Sequence, residues 1–214
     1  MKKSSYLYTA LFILIFFLTL AFFYWLVRSP HFNVINGWII QNRTLFIVSL
    51  FFYKTLGILW PPIPAGLFTL VAIPFIGWKT AYFVDLFGSI SGGSIAYLVG
   101  RKFGYKILGK IFDSSIVEKI KRIKIKKGRE IEAVFVYRLL LGSTILEAIY
   151  YGAGTLKVNY WKFLIGATLS HPVVGVPSFL LAENIFLGKN LVVIIILSIV
   201  ALVFVYKTKG RYFE

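Results

Sequence analysis

The stretch AVFVYRLLLGSTILEAIYYGAGTL, Ala133 to Leu156, decides how this chain is to be read. It is apolar enough to enter a membrane, yet Arg138, Gly142, Glu147, Gly152 and Gly154 interrupt it. A helix that crosses lipid uses about 20 predominantly apolar residues. An Arg at its centre costs roughly 2.5–3.5 kcal/mol or more to insert. Broken helices survive at membrane depth only where protein or water satisfies their freed backbone groups. The pattern therefore predicts a re-entrant hairpin over residues 133–156 that enters and leaves on one side. A second broken stretch, residues 44–78, gets the same reading. Lys54, Gly57, Pro61, Pro62, Pro64, Pro74 and Gly77 interrupt it.

Around these hairpins the chain reads as lipid-spanning helix. Tyr6–Val27 carries no charge over 22 residues, about 33 Å of helix, and residues 1–30 are expected to be an N-terminal anchor. Further spans are expected at 79–100, with its apolar run from Ala81, at 160–182 and at 191–206. His31–Arg43 places Phe32, Ile35, Ile39 and Ile40 on one face and reads as an interfacial helix. Of the 214 residues 58% are hydrophobic and 15% charged, with mean hydropathy +0.80. That composition excludes a soluble or disordered chain, since soluble domains average about 25% charged residues. The fold class expected is all-α, a polytopic helical membrane protein with two re-entrant hairpins in an inverted-repeat arrangement.

The net charge of +16 orients the chain. Residues 101–132 hold eleven basic and four acidic side chains, net +7. The positive-inside rule makes this basic loop cytoplasmic. With 44–78 entered from outside and 133–156 from inside, 18 of the 24 basic residues fall on the cytoplasmic side. Both termini, including the tail 207–214, are then cytoplasmic, and the protein is expected to be multi-pass in the cell membrane. Ser115–Lys127 sets Ile116, Ile120 and Ile123 at helical spacing among Lys119, Lys121, Arg122, Lys124, Lys126 and Lys127, and is expected to lie on the anionic leaflet. No nucleic-acid fold accompanies the charge. Each hairpin is followed by a span, and at an offset of 78 Lys79, Tyr82, Gly88 and Gly92 fall opposite Lys157, Tyr160, Gly166 and Ser170. Interrupted segments at corresponding positions of two halves point to a midplane site in transporter-like folds.

Arg138 is the charge most deeply set in apolar sequence, and an intramembrane charge is read first as functional. Asp85 or Glu147 is expected to neutralise it. Asp85 is favoured, because its helix shows Gly88, Gly92, Ala96 and Gly100 on a face that lets another backbone approach. Glu147 is the better proton carrier, since burial disfavours a charged carboxyl. His171, beside Pro172, reads as a structural histidine. No nucleophile elbow, phosphate loop or zinc motif is present. No enzyme, cofactor or metal is therefore expected.

Two stretches carry a family resemblance. FVDLFGSISGGSIAYLVGRKFG, Phe83–Gly104, resembles a Gly-rich helix ending in Gly-Arg-x-x-Gly. VYRLLLGSTILEAIYYGAGTLKVNYWKFLIGATLSHP, Val136–Pro172, resembles an Arg-led hairpin with a Gly-rich return and an aromatic span. With Pro61-Pro62-Ile63-Pro64 they resemble the DedA/VTT superfamily, the SNARE-associated Golgi proteins, over roughly residues 50–185. The resemblance implies lipid handling: transport or scrambling of phospholipids or polyprenyl-phosphate carriers. It makes Arg138 the signature Arg and Gly152 and Gly154 the Gly-rich return. The chain departs from the pattern in three places. Leu141 stands where a Pro is usual, no second Arg lies near Thr144, and Lys54 is the only charge near the place of an acidic residue. These departures favour the VTT branch over a proton-coupled DedA type. The expected function is movement of an anionic lipid between leaflets, with membrane lipids as partners and proton coupling through Glu147 as an added option. The alternatives are a scaffold acting through its basic loop and, less favoured, a lipid-phosphate enzyme.

Overall fold

The structure, a computed structural model, describes residues 18, 21–22, 25–26, 28–60, 65–123, 125–126 and 128–187. The expected span 191–206, the tail, most of the anchor, Pro61, Pro62, Pro64, Lys124 and Lys127 lie outside the described residues. Those described are all helical or connecting, with no strand among them. Two compact units are present, residues 1–44 and 45–214. Within the first, α1 runs His31–Gln41 and is closed by Asn42, whose side-chain amide donates to the Trp38 carbonyl at 2.9 Å.

The second unit carries α2 (Arg43–Leu59, from Leu45 on), α3 (Ala65–Val71), α4 (Ile73–Ile76) and α5 (Trp78–Phe103). It continues with α6 (Tyr105–Ile111), α7 (Ser114–Arg122), α8 (Glu130–Thr155) and α9 (Tyr160–Leu187). α5 and α9 contain the expected spans 79–100 and 160–182. They are the two helices here that are long and apolar enough to cross a membrane alone. They run antiparallel: Tyr82 meets Phe179, Asp85 meets His171, and Tyr97 meets Tyr160. α2 doubles back onto α3 and α4, with ring centroids of Tyr53 and Phe68 4.7 Å apart and those of Phe46 and Phe75 6.3 Å apart.

Residues 133–156, expected to be a re-entrant hairpin, lie within one helical stretch, Glu130–Thr155. A lone Gly costs a helix only about 1 kcal/mol against Ala, and the surrounding Leu, Arg and Glu are good helix formers. The basic loop 101–132 is itself largely helical. It closes α5 and then forms α6 and α7, whose Leu108, Val117 and Ile120 are core residues. α7 ends at Arg122, short of Lys127. Ile120 lies against Gly152 of α8, so part of the apolar face assigned to the leaflet packs on protein. Lys119, Lys121, Arg122 and Lys126 remain exposed.

α8 ends in a Schellman turn. The Lys157 amide donates to Gly154 and the Val158 amide to Ala153, at 3.0 and 3.1 Å. The turn holds Lys157 at φ 55°, where L-residues other than Gly are strained. Left-handed backbone costs a side-chain-bearing residue roughly 1–2 kcal/mol. Lys157→Gly is therefore expected to raise stability by about 1 kcal/mol, read as a higher thermal midpoint of the purified protein.

Candidate functional site

The buried polar residues gather where α2, α3, α5, α8 and α9 meet. Asp85, on the inner face of α5, stands at the centre. Its Oδ1 accepts from Lys54 Nζ of α2 and from Thr69 Oγ1 of α3, both at 2.6 Å. Its Oδ2 lies 3.0 Å from His171 Nε2 of α9. All four side chains are buried. The carboxylate thus has a cation, a hydroxyl and an imidazole, the coordination that makes a buried charge tolerable.

The local sequence explains the placement. A Cβ at Gly88 would lie 2.6 Å from Lys54 Cγ, and one at Gly66 3.6 Å from Nζ. Gly88 gives room for the lysine stem, and the ammonium passes Gly66 at ordinary contact distance. A Cβ at Gly92 would lie 2.7 Å from the Thr55 carbonyl, so α2 lies directly on α5. Gly100 faces the Tyr151 carbonyl and Gly154 the Tyr97 carbonyl, at distances no Cβ could occupy.

This arrangement corrects the expected pairing. Asp85 is neutralised by Lys54, and Arg138 forms no ion pair among the described residues. The sequence puts Lys54 and Arg138 equally in apolar surroundings. The turn of the chain after Leu59 is what carries Lys54 to Asp85. Arg138, 8% exposed, donates to the Ala167 carbonyl and, at 3.2 Å, to Ser170 Oγ. Its guanidinium carbon lies 5.6 Å from the centre of the Tyr150 ring. It is a buried cation held by neutral groups.

Ser170 and His171 are neighbours in sequence, so the Arg138 and Asp85 sites adjoin along α9. Glu147 is partly buried and electrostatically coupled to Lys54 and Tyr150. Thr55 Oγ1, Ser89 Oγ and His171 Nδ1 are buried without a hydrogen-bond partner among the described residues. Sequence reading missed Lys54, Thr69, Tyr150 and Ser170 and gave His171 only a structural place. One signal was available: a Lys inside an apolar stretch needs a carboxylate, and few lie in the membrane segments. No group of three metal-ligating side chains occurs among the described residues.

A family model, the VTT domain, matches residues 47–183, from α2 through α9. The chain belongs to the DedA/VTT family. The match takes in every residue of the site just described. VTT-domain proteins are membrane proteins implicated in lipid transport and are generally not enzymes. The family and the apolar helices α5 and α9 make this VTT protein an integral membrane protein. No curated protein and no solved structure matches the chain.

Proposed function

We propose that the protein moves anionic, phosphate-bearing lipids between leaflets, with Arg138 as the head-group contact. The observation that carries this reading is the state of Arg138. It is buried, with a carbonyl, a hydroxyl and an aromatic ring as partners. A guanidinium pays heavily for leaving water and gains full return only from an anion. Its planar donor fork suits a phosphate. The acyl chains stay in the bilayer while the head group passes.

A re-entrant course for α8 belongs to the same proposal. In a straight helix Arg138 and Tyr150 stand about 18 Å apart along the axis, too far for their side chains to touch. Their contact supports a reversal between them. Both ends of α8 also reach the first turns of α9. Glu130 accepts from Lys162 at 3.0 Å, and Val158, just past the other end, accepts from Tyr97, which stacks on Phe163. The inverted repeat has support of the same kind. Gly88 and Gly92 lie on Phe51–Lys54 and Thr55–Ile58 of the first arm; Gly166 and Ser170 lie on Ile131–Val134 and Arg138 of the second.

The test is reconstitution of the purified protein into vesicles with labelled lipids that differ in head group. Lipids bearing a phosphate are expected to equilibrate between leaflets faster than in protein-free vesicles, and a neutral glycolipid or diacylglycerol is not accelerated. Acceleration of no lipid, or of all lipids equally, overturns the reading.

A further inference from the structure

We propose that Lys54 is a built-in counter-cation: its ammonium takes the place that a small monovalent cation would hold against the buried Asp85 carboxylate, and so frees lipid movement from any ion gradient. The second half of this statement rests on the lipid-moving role above. The first half stands without it.

The site has the features of a cation pocket. Asp85 supplies the charge, and Thr69 and His171 hold its two carboxylate oxygens in place. It is closed to water: Thr69 is fully buried, and Lys54, Asp85 and His171 are nearly so. Gly88 shapes it, since a Cβ there would occupy the place of the lysine stem. The space therefore takes an unbranched alkylammonium. Thr55, the next residue along, and Ser89, one turn beyond Asp85, leave two further buried hydroxyls without a hydrogen-bond partner among the described residues.

The charged and titratable groups around Asp85 are Lys54 from α2, Tyr82 on its own helix, Arg138, Glu147 and Tyr150 from α8, and His171 from α9. Among them Lys54 is the cation in direct contact with the carboxylate. A carrier coupled to a free ion must bind and release that ion at a buried acid during each cycle. Here the cation is covalently tethered and cannot leave, so the acid stays neutralised in every state that keeps this contact.

Chemical rescue tests the site without lipid. Lys54→Ala removes three methylenes and the ammonium, a fragment that propylammonium replaces. Removing one partner of a buried pair strands the other charge. The thermal midpoint of Lys54→Ala in detergent is expected to fall by about 10 °C. Propylammonium chloride should recover most of that loss; tetramethylammonium, too bulky for the place of the lysine stem beside Gly88, should not. The double variant Lys54→Met/Asp85→Asn, which has no charge to compensate, should fold and ignore both salts. It keeps the test decisive if Lys54→Ala fails to fold. A Lys54→Met protein as stable as the wild type, equal rescue by both salts, or a double variant that does not fold overturns the site. In vesicles the wild-type rate should be the same with and without a pH or sodium gradient. A gradient-dependent rate, removed by Glu147→Gln, overturns the uncoupled half while leaving Arg138 as the head-group contact.

Discussion

Arg138→Met is expected to abolish lipid movement while leaving the protein as stable as the wild type, or more so. The partners of Arg138 allow this separation. The Ala167 carbonyl also accepts from Ser170 Oγ at 3.0 Å, so both keep a partner when the guanidinium is gone. No carboxylate among the described residues is stranded by the change. Met fills a similar volume and removes a desolvation cost of several kcal/mol. The thermal midpoint should stay level or rise by about 2–4 °C for each kcal/mol regained. Labelled lipid should equilibrate at the rate of empty vesicles. A fall in midpoint of about 10 °C would make Arg138 a structural residue. Undiminished lipid movement would take it off the path. Lys54 is the opposite case: removing it strands a carboxylate, whereas removing Arg138 strands none among the described residues.

Gly154→Ala is expected to destabilise the fold by about 3 kcal/mol, at the upper end of overpacking changes. Its Cβ would meet the Tyr97 carbonyl and, at 2.8 Å, the Arg101 amide nitrogen. Both are backbone atoms of α5, so no side chain can swing aside. Relief requires α8 and α5 to separate. That would open the core cluster of Ala96, Tyr97, Ala148, Tyr150 and Tyr151. Gly100→Ala meets the Tyr151 carbonyl from the other helix and should behave alike. Gly109→Ala is the control. Nothing lies within 4 Å of its Cβ, and the helix α6 gains there roughly 0.5–1 kcal/mol from the better former. Thermal midpoints of the three variants check the ordering. A Gly154→Ala protein as stable as Gly109→Ala would mean that the two helices do not approach as closely as described.

The spans were legible because length and apolarity alone define them. Trp78–Phe103 and Tyr160–Leu187 extend the expected 79–100 and 160–182 by a few residues, mostly at ends where Arg101 and Lys102 or Glu183 blur the edge of the apolar run. Glycines marked as sites of close approach, Gly88, Gly92, Gly100, Gly152 and Gly154, each lie where a Cβ would meet a neighbouring helix. The partner of Asp85 was not legible. Two cations and two carboxylates in apolar sequence, Lys54 and Arg138 with Asp85 and Glu147, admit more than one pairing, and the choice depends on how far the first arm folds back. That distance is set by Thr69 and Gly66 reaching the level of Asp85, which no local pattern encodes. α7 was misread for a related reason. An amphipathic face looks the same whether it meets lipid or Gly152 of a neighbouring helix.

The clasp between Glu130 and Lys162 has a consequence for how the chain is made. The ribosome delivers α8 before α9, so the insertion machinery first meets this 26-residue stretch while Glu130 lacks its cation. Basic residues stand at both flanks, Lys126 and Arg129 before it and Lys157 and Lys162 after it, and each resists translocation. Glu130 gains its cation only when the first turn of α9 emerges and brings Lys162 to it. The order of synthesis makes α9 the element that completes α8.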